Sequence, residues 1–374
     1  MRIEFHPRQW PHQQQEARSF CAVQTYFPRV VPGAGPAVLG AAFSFVILVC
    51  AKRRTVPILT GNAGFFTNVV AGKTEVVSEV NPVVLVPLGQ HWLVEARGEF
   101  EGDFERKDDG TGSFGGDVDK ELDYLQADYI ANPYVTVTVG RFLTPFGMYN
   151  ERIYPIWIRD LQQTPLIFPI GTGSSNGAML RGGFPLNSGV NLNYATYFSL
   201  ASTNQTLDSD RLAGFRTGLF FPGPRIEIGG SFQKLLQEER TNAFGFHFAW
   251  QPTAVPMNIR AEYARSNLGS GYWIEAACRL SQVKRWNKFM RSAEVVGRVQ
   301  QLFAGQADED DLEEYGLPDA NTRQADFGFN YYLMDGLKAT ASFGRQFSSD
   351  GDFNLWNVGV AYPFALPLGR AEVQ

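Results

Sequence analysis

Two pairs of opposite charges stand in an otherwise apolar stretch of the chain. Glu151-Arg152 and Arg159-Asp160 fall within "GRFLTPFGMYNERIYPIWIRDLQQTPL", residues 140–166. The bulky apolar residues of this segment disfavour full exposure to water, while its charged residues need water or partners of opposite charge. Charges held beside a narrow water-filled space act strongly on a passing ion, because low-dielectric walls screen them weakly.

Catalytic chemistry has weaker support in the sequence. A hydrolase needs a serine, a histidine and an orienting acid at one site, and past the N-terminal region only His91 and His247 remain. We expect both to be wall or rim residues, and we predict no enzyme activity, no metal site and no cofactor. The acidic run Asp308–Glu314 is most simply a solvated external loop, with weak binding of divalent cations as the alternative.

The segments that would position these residues alternate with a period of two from about Asn62 onward. In "NAFGFHFAW", Phe244, Phe246 and Phe248 alternate with small or polar residues, and the run that ends at Phe364 does the same. Tight turns and longer polar stretches follow one another between these runs. The strand count from Asn62 to Phe364 is about sixteen, an even number.

This pattern is typical of an outer-membrane barrel, which has short periplasmic turns and longer external loops. The predicted fold class is therefore all-β: a transmembrane antiparallel β-barrel of about 16 strands, in the outer membrane of a Gram-negative-type bacterium. A soluble sandwich or lipocalin-like barrel is the alternative. It would place its aromatic residues inside and close with about eight strands.

The composition agrees with this class. The chain has 374 residues, 14% of them aromatic, and a formal net charge of −5, which argues against nucleic acid as a partner. Its mean hydropathy of −0.18 resembles that of a soluble protein, but membrane barrels average to such values because their faces alternate. Cys21, Cys50 and Cys278 are too few and too scattered for a disulfide framework.

An apolar, uncharged segment near the N-terminus, Ala37 to Ala51, has the length of a secretory signal core and is too short to span a bilayer comfortably. We expect residues 1–56 to form a targeting region and residues 57–374 to form the barrel domain. Lys52, Arg53 and Arg54 follow where a cleavage site is expected. A buried helix or an uncleaved anchor is therefore the alternative.

By this strand count, the charged segment lies in the third external loop, between residues 143 and 176. A barrel of sixteen strands leaves room for an aqueous channel. We expect the loop to fold into it, with its apolar residues on the inner wall. Glu151, Arg152, Arg159 and Asp160 would then form the pore constriction, with both arginines projecting into water. An external lid or a trimer-contact loop is the alternative.

The same stretch resembles the phosphate-selective porin O and P family. Members show a strand ending in G-x-F/L-x-x-P-F, a charged aromatic loop with Glu-Arg, and a strand that resumes with glycine. The matching positions are Gly140, Pro145, Phe146, Glu151, Arg152 and Gly177. The resemblance implies a trimeric, 16-stranded passive channel. Phe364 is similar to the terminal aromatic that such proteins show to the barrel-assembly machinery, although ten more residues follow it.

Charged residues on the face opposite the aromatic ones are expected to line the pore. By alternation the basic ones are Arg97, Arg216, Arg225, Arg260, Arg279, Arg298 and Lys338. The acidic ones are Glu95, Glu99, Glu101, Asp103, Asp128, Glu227, Glu262, Glu275, Glu294 and Asp326. Acid matches or exceeds base, which argues against the ladder of bases that anion selection needs. Paired charges that only keep the lumen wet are the alternative. Arg141 breaks the alternation and predicts a bulge.

Together these features predict an outer-membrane porin, a water-filled channel for passive diffusion of small polar or ionic solutes, with phosphate and other anions among the candidates. A non-conducting barrel with an adhesive or envelope-structural role is the main alternative, and a soluble secreted β-protein is a third. The expected partners are outer-membrane lipid, the solutes, the assembly machinery and further copies of the chain in a homotrimer.

Overall fold

The computed structural model describes residues 56–368 except for 107–111, 205–206, 238–239, 284–286, 306, 308–311, 313–314, 334–335 and 350. The signal-like segment 37–51 therefore lies outside the described residues. The strands are β1 (Ile58–Val70), β2 (Lys73–Leu88), β3 (Trp92–Arg106), β4 (Phe114–Asn132), β5 (Val135–Leu143), β6 (Ser174–Asn187), β7 (Val190–Ser199), β8 (Leu212–Phe221), β9 (Ile226–Leu235), β10 (Asn242–Trp250), β11 (Met257–Arg265), β12 (Gly269–Arg279), β13 (Ala293–Ala304), β14 (Thr322–Tyr332), β15 (Lys338–Phe347) and β16 (Phe353–Pro367). The helical elements are α1 (Tyr149–Arg152), a 3₁₀ turn (Leu280–Gln282) and α2 (Asn287–Met290).

These strands form one closed barrel. Each strand pairs antiparallel with its neighbours in the sequence, and β1 closes the sheet on β16 through pairs that run from Ile58 with Pro367 to Val70 with Leu355. Where all sixteen strands pair, closure lets the ladder satisfy the backbone hydrogen bonds without water. The predicted sixteen-stranded antiparallel barrel is confirmed.

The barrel has an apolar outer face and a polar inner face. Phe246 and Val358 on the outer face are 62% and 57% exposed, whereas their neighbours His247 and Asn357 are buried inside. Successive side chains of a strand point to opposite faces, and the exposed apolar side chains are suited to contact with lipid. Among the described residues, no helix is long and apolar enough to cross a bilayer.

The connections differ at the two ends of the barrel, as expected, with two exceptions. The β1–β2 connection lies at the end with the long loops, yet it is a tight turn of Ala71 and Gly72, both with positive φ. The β12–β13 connection lies at the other end and contains the 3₁₀ turn and α2. Neither exception changes the strand count, because the direction of the chain still reverses at each connection.

The wall formed by β2, β3 and β4 is taller than the wall formed by β7 to β11. The strands of the taller wall have 16, 15 and 19 residues, whereas β7 to β11 have nine or ten each. Leu125 is the first residue of β4, in chain order, that pairs with β5. Residues 114–124 therefore extend beyond that pairing at the long-loop end. At about 3.3 Å per residue, this extension adds a high wall on one side of the external vestibule.

Arg141 is not at a bulge. It pairs in regular register with Leu125 and Asn176, and the β4 irregularities lie elsewhere, opposite Arg97/Gly98 and near Ile130. Its guanidinium is nevertheless buried, because it donates to the carbonyl oxygens of residues 122 and 208 at 2.7 Å each. The predicted bulge is therefore wrong, and the β7–β8 loop that covers the side chain accounts for the broken alternation.

Candidate functional site

The loop between β5 and β6, residues 144–173, folds into the barrel. Phe146, Tyr149 and Ile167 form one buried apolar cluster with Trp273 of β12 and Leu302 of β13. The rings of Tyr149 and Trp273 meet edge to face, with centroids 5.9 Å apart. Burial of these side chains against the wall stabilises the inward position of the loop. The expected inward fold of the third external loop is confirmed.

The first charged pair of the loop joins the wall at β8 and β9. Glu151 lies 2.7 Å from Arg216 Nη1. Arg152 Nη1 donates to both carboxylate oxygens of Glu227, at 2.9 and 2.8 Å. The first helical turn of the loop, α1, is thereby tied to two adjacent strands by oppositely directed ion pairs. Only charge-assisted pairs of this kind allow such groups to be buried at acceptable cost.

The second charged pair does not behave as expected. Asp160 accepts a hydrogen bond from Arg260 Nη2, which also donates to Glu275 at 2.5 Å. Arg159 is buried: its guanidinium donates to the carbonyl oxygens of Tyr154 and Gln162 and lies 4.6 Å from the centroid of the Tyr154 ring.

The prediction that Arg159 projects into open water is therefore wrong, because this side chain is buried. Arg152 keeps 24% of its side chain exposed but is paired with Glu227. Each guanidinium is held by acceptors of the wall or of the loop itself, because a buried charge without partners is costly. All four predicted constriction residues lie inside the barrel. Glu151, Arg152 and Asp160 pair with wall residues, whereas Arg159 is held by acceptors of the loop itself.

Lys338 attaches the loop at the opposite side. Its ammonium group is buried and donates to the backbone carbonyl oxygens of Ile156, Trp157 and Arg159, at 3.2, 3.0 and 2.5 Å. The side-chain amide of Asn330 donates to the Asp160 carbonyl oxygen at 2.9 Å. The three donors of the ammonium group are thus used on one turn of the loop, and no solute can reach them while the loop is docked.

The remaining bases of the β8–β15 wall are paired as well. Arg298 lies 3.3 Å from Asp326 and 3.8 Å from Glu275, and it is buried. Arg279 lies 2.9 Å from Glu294. The structure places Arg216, Arg260, Arg279, Arg298 and Lys338 on the inner wall, in a network that the loop covers or that acidic neighbours neutralise.

The wall of β2, β3 and β4 carries more acids than its bases compensate, because Arg97 pairs, among the described residues, only with Glu99 and Asp123. Glu101 of β3 lies directly opposite Glu79 of β2 and Asp119 of β4, and the next pair above it joins Asp103 to Asp117. In the described part of the chain, no ion pair reaches Glu79, Glu101 or Asp119. Like charges directly opposite one another destabilise a sheet, so this arrangement has a structural cost.

The loop meets this acidic wall at Tyr154. The Tyr154 hydroxyl donates to Glu99 at 3.3 Å, and the Arg97 guanidinium lies 5.2 Å from the centroid of its ring. Arg97 is in turn 2.8 Å from Asp123. Carboxylate oxygens of Glu99, Glu79 and Glu101 all lie within 4.8 Å of one another at this level. We call this region, formed by Tyr154 and Arg159 of the loop and Glu79, Glu99 and Glu101 of the wall, the eyelet.

Other predicted residues lie away from the eyelet. Asp128 and Glu95 are on the inner face nearer the periplasmic end, where Arg181 lies 3.0 Å from Asp128. Arg225 is not a wall residue: it occupies the β8–β9 turn with a φ of 57°, and it donates to Gln251 at 2.8 Å. Its assignment to the pore lining is therefore wrong, because the strand begins only at the next residue.

The residues of the sequence motif shape the start and end of the loop. Gly140 has a φ of 120°, which a residue with a side chain rarely adopts, and this geometry precedes the turn of the chain into the barrel. Pro145 and Phe146 follow inside the barrel, where both are buried. Gly177 pairs with Gly140 across β5 and β6. In this chain the motif residues therefore shape the path by which the loop enters and leaves the barrel.

Several residues of the eyelet and of the acidic wall were not predicted from the sequence. Glu79, Asp117 and Asp119 face the lumen, yet the consecutive valines Val76 and Val77 before Glu79 hide the alternation of β2. Val77 breaks the pattern because it points inward, where it belongs to an apolar cluster with Ile156 of the loop. Tyr154 was expected only as an apolar part of the loop.

The two histidines and the one described residue of the acidic run lie outside the eyelet. His91 bonds the Ile130 carbonyl oxygen at 2.8 Å beside a tight turn, and His247 is a buried wall residue 3.4 Å from Glu227. Of the run 308–314, only Leu312 lies within the described residues, and it belongs to the apolar cluster around the loop.

Comparison with known proteins identifies the fold. No family model and no curated protein matches the chain. Several solved structures are similar to it. The high-pH form of OprB from Pseudomonas putida gives a TM-score of 0.54 at 7% identity, covering 83% of this chain and 94% of that one. OmpT of Vibrio cholerae without its loop L8 gives 0.52 at 11% identity, covering 83% and 100%. The outer-membrane channel DcaP of Acinetobacter baumannii gives 0.51 at 12%, covering 85% and 100%.

At these identities the likeness shows the fold, which is that of outer-membrane porin barrels. The location follows from the molecule as well: a closed barrel with an apolar outer face and a polar interior is the architecture of outer-membrane proteins. The chain is an outer-membrane protein of the Gram-negative type, as the sequence predicts.

Proposed function

We propose that the chain forms a passive diffusion channel for small polar or ionic solutes and that the channel prefers cations. The solute path runs down the external vestibule along the acidic wall and through the eyelet, between Tyr154 and Arg159 on one side and Glu79 and Glu101 on the other. The preference for cations comes from carboxylates that remain accessible along this path, in a setting where water screens them incompletely.

This proposal rests on the difference in exposure between the basic and the acidic side chains of the inner wall. Bases of the β8–β15 wall such as Arg260, Arg298 and Lys338 are buried under the loop or paired with acids. Glu101 is only half-buried and Asp119 is exposed, and both stand on the tall side of the vestibule. A solute that enters from outside therefore meets negative charge first and for longest.

The same observation argues against phosphate selectivity, although the loop motif resembles that of the phosphate-selective porins. Recognition of phosphate along a channel needs basic side chains open to the lumen. Arg97 and Arg159 at the eyelet are buried and already have acceptors or aromatic partners. We propose that the likeness concerns the way the loop enters the barrel and not the solute.

We also propose a homotrimer, delivered to the membrane by the barrel-assembly machinery. Trp356, Tyr362 and other large apolar side chains of β16 are exposed on the outer face and suit contact either with lipid or with another barrel. Crosslinking in detergent, followed by native mass measurement, distinguishes three copies from one. A single barrel mass under mild detergent would contradict the trimer and leave the channel proposal in place.

Planar-bilayer recording of the purified chain in a KCl gradient tests the preference. We expect a reversal potential of the sign that cation flow produces, and Glu101→Gln should move it toward zero. The matched control is Asp352→Asn at the exposed external end of β16, where salt screens the charge more fully. A reversal potential of the anion sign, with chloride current reduced by added phosphate, would overturn the proposal.

A non-conducting barrel is the second candidate, and one observation favours it. At the level of the loop, inner-wall charges such as Glu275, Arg298 and Lys338 are buried, and Tyr154 reaches the far wall. A barrel closed in this way would serve the envelope as a structural or adhesive element. Absence of single-channel steps from barrels that show heat-modifiable folding would favour this candidate.

A further inference from the structure

Two side chains of the loop point into places where the inner wall has glycine. A Cβ atom built on Gly328 of β14 would lie 2.5 Å from Leu161 Cδ2, and one built on Gly64 of β1 would lie 2.5 Å from Ile156 Cδ1. Real Cβ atoms do not approach other carbons so closely. The loop side chains therefore fill the space that these two residues leave open by lacking a side chain.

Two more contacts of the same kind lie on the wall between them. A Cβ on Gly271 of β12 would lie 2.2 Å from the Gln301 carbonyl oxygen of β13 and 2.7 Å from Ile167 Cγ2, so both the neighbouring strand and the loop require glycine there. One on Gly245 of β10 would lie 3.0 Å from the ring of Phe146. The four glycines stand on four different strands, and the four apolar side chains come from both halves of the loop. The contacts thus extend along most of the docked segment.

We propose that these four wall residues, the glycine seats (Gly64, Gly245, Gly271 and Gly328), determine where the loop docks and so position the eyelet. Ion pairs favour the inward position, but Coulomb attraction changes slowly with distance and tolerates displacement. Repulsion between overlapping atoms changes steeply, so close-packed seats define one location. The inference deepens the proposed channel function, because the position of the loop sets the width of the path.

Gly328 is the seat that can be tested most cleanly. Apart from Leu161, the nearest atoms to its Cβ position are Ala341 O and Ser342 Cβ, each at 3.6 Å, which is ordinary contact. A larger side chain there meets the loop and little else. Gly64 is less suitable, because its Cβ position also lies 2.5 Å from the Phe66 ring.

The test is the variant Gly328→Leu in the full chain, with Gly328→Leu/Leu161→Ala as the compensating variant. Two readouts are measured on folded, heat-modifiable barrels: cleavage by trypsin after Arg152 or Arg159, identified by mass, and single-channel conductance. Trypsin is too large to enter the lumen, so only an undocked loop is cut. We expect Gly328→Leu to lose the protection of the loop and to conduct more, and the double variant to regain both wild-type properties.

The control is Gly230→Ala on the outer face, whose nearest contacts are ordinary, at 3.6 and 3.7 Å, and which should change neither readout. If Gly328→Leu fails to fold, Leu161→Trp overfills the same seat from the loop side and should likewise expose the loop. A protected loop in both overfilled variants, or exposure that Leu161→Ala does not reverse, would overturn the inference. Because protease protection does not require conduction, a barrel that never conducts would refute the channel and leave the seats testable.

Discussion

On β2 to β4 the inner wall carries carboxylates that stand opposite one another, and Glu101 and Asp119 among them are open to the external vestibule. On β8 to β15 the inner wall instead carries charges of both signs that a loop covers. Glu101 has acidic cross-strand neighbours on both sides. Arg260, by contrast, has Asp160 of the loop and Glu275 of the next strand as partners. The two walls belong to the same sheet and have the same alternation.

The difference shows that inward-facing charged residues can have two functions. Where the loop docks, charges of opposite sign are removed from water and paired, and they hold a segment in place. Where the loop stays away, charges keep their water and create a field along the solute path. The accessible acids cost stability because like charges face one another, while the buried pairs depend on complete partnering.

The largest expected difference between the walls concerns Arg260. Arg260→Met removes the cation between Asp160 and Glu275 and leaves both carboxylates buried without it. We expect the free energy of unfolding to fall by about 3–5 kcal/mol, as for other buried pairs that lose one member. Urea unfolding followed by tryptophan fluorescence in lipid vesicles measures the change.

Arg345→Met is the matched control for that prediction. Arg345 pairs with Asp352 at 3.4 Å in an exposed position at the external end of β15. An exposed pair contributes only about 0–1 kcal/mol. Losses of equal size at Arg260 and Arg345 would mean that the loop does not shield the covered wall from water, and the contrast between the walls would disappear.

A smaller effect is expected at the opposite attachment of the loop. Lys338→Met removes the donors to three backbone carbonyls of residues 156–159. We expect a loss of about 1–3 kcal/mol, since the released turn can move toward water, together with more open-channel noise and little shift in reversal potential. Lys234→Met, on an exposed position of β9, should change none of these quantities.

If Lys338 instead faced the solute as a free charge, Lys338→Met would shift the reversal potential toward cations without added noise. That result would place a base on the solute path and weaken the distinction between a covered and an open wall. Noise and selectivity are recorded in the same bilayer experiment, so the two roles of the lysine can be separated on one sample.

The smallest expected effect has the opposite sign. Glu101→Gln relieves repulsion with Glu79 and Asp119, so we expect the barrel to become more stable by about 0.2–1 kcal/mol. In the double variant with Glu79→Gln, the second change should add less than it does alone, because the shared repulsion has already gone. Full additivity, or destabilisation by Glu101→Gln, would contradict the inferred repulsion between Glu101 and the carboxylates directly opposite it.

The period of two in the sequence is sufficient to predict the barrel, its strand number and its outer face. Alternation places Phe246 and the apolar residues of the run that ends at Phe364 on one face, and Phe246 and Val358 are exposed there. The direction of a side chain on a strand is a local property that needs no knowledge of partners. The entry of the loop into the lumen was also predictable. A segment with so many apolar residues between Tyr149 and Phe168 must find an apolar surface.

Which charges remain open was decided only by the tertiary structure. Arg152 meets Glu227 75 residues away, and Asp160 accepts from Asn330 170 residues away, so no local pattern indicates either contact. Alternation gives Lys338 and Glu101 the same inward direction. The docked loop then buries the first and leaves the second half-exposed, because the wall glycines and apolar side chains that fix its position come together only when the sheet closes.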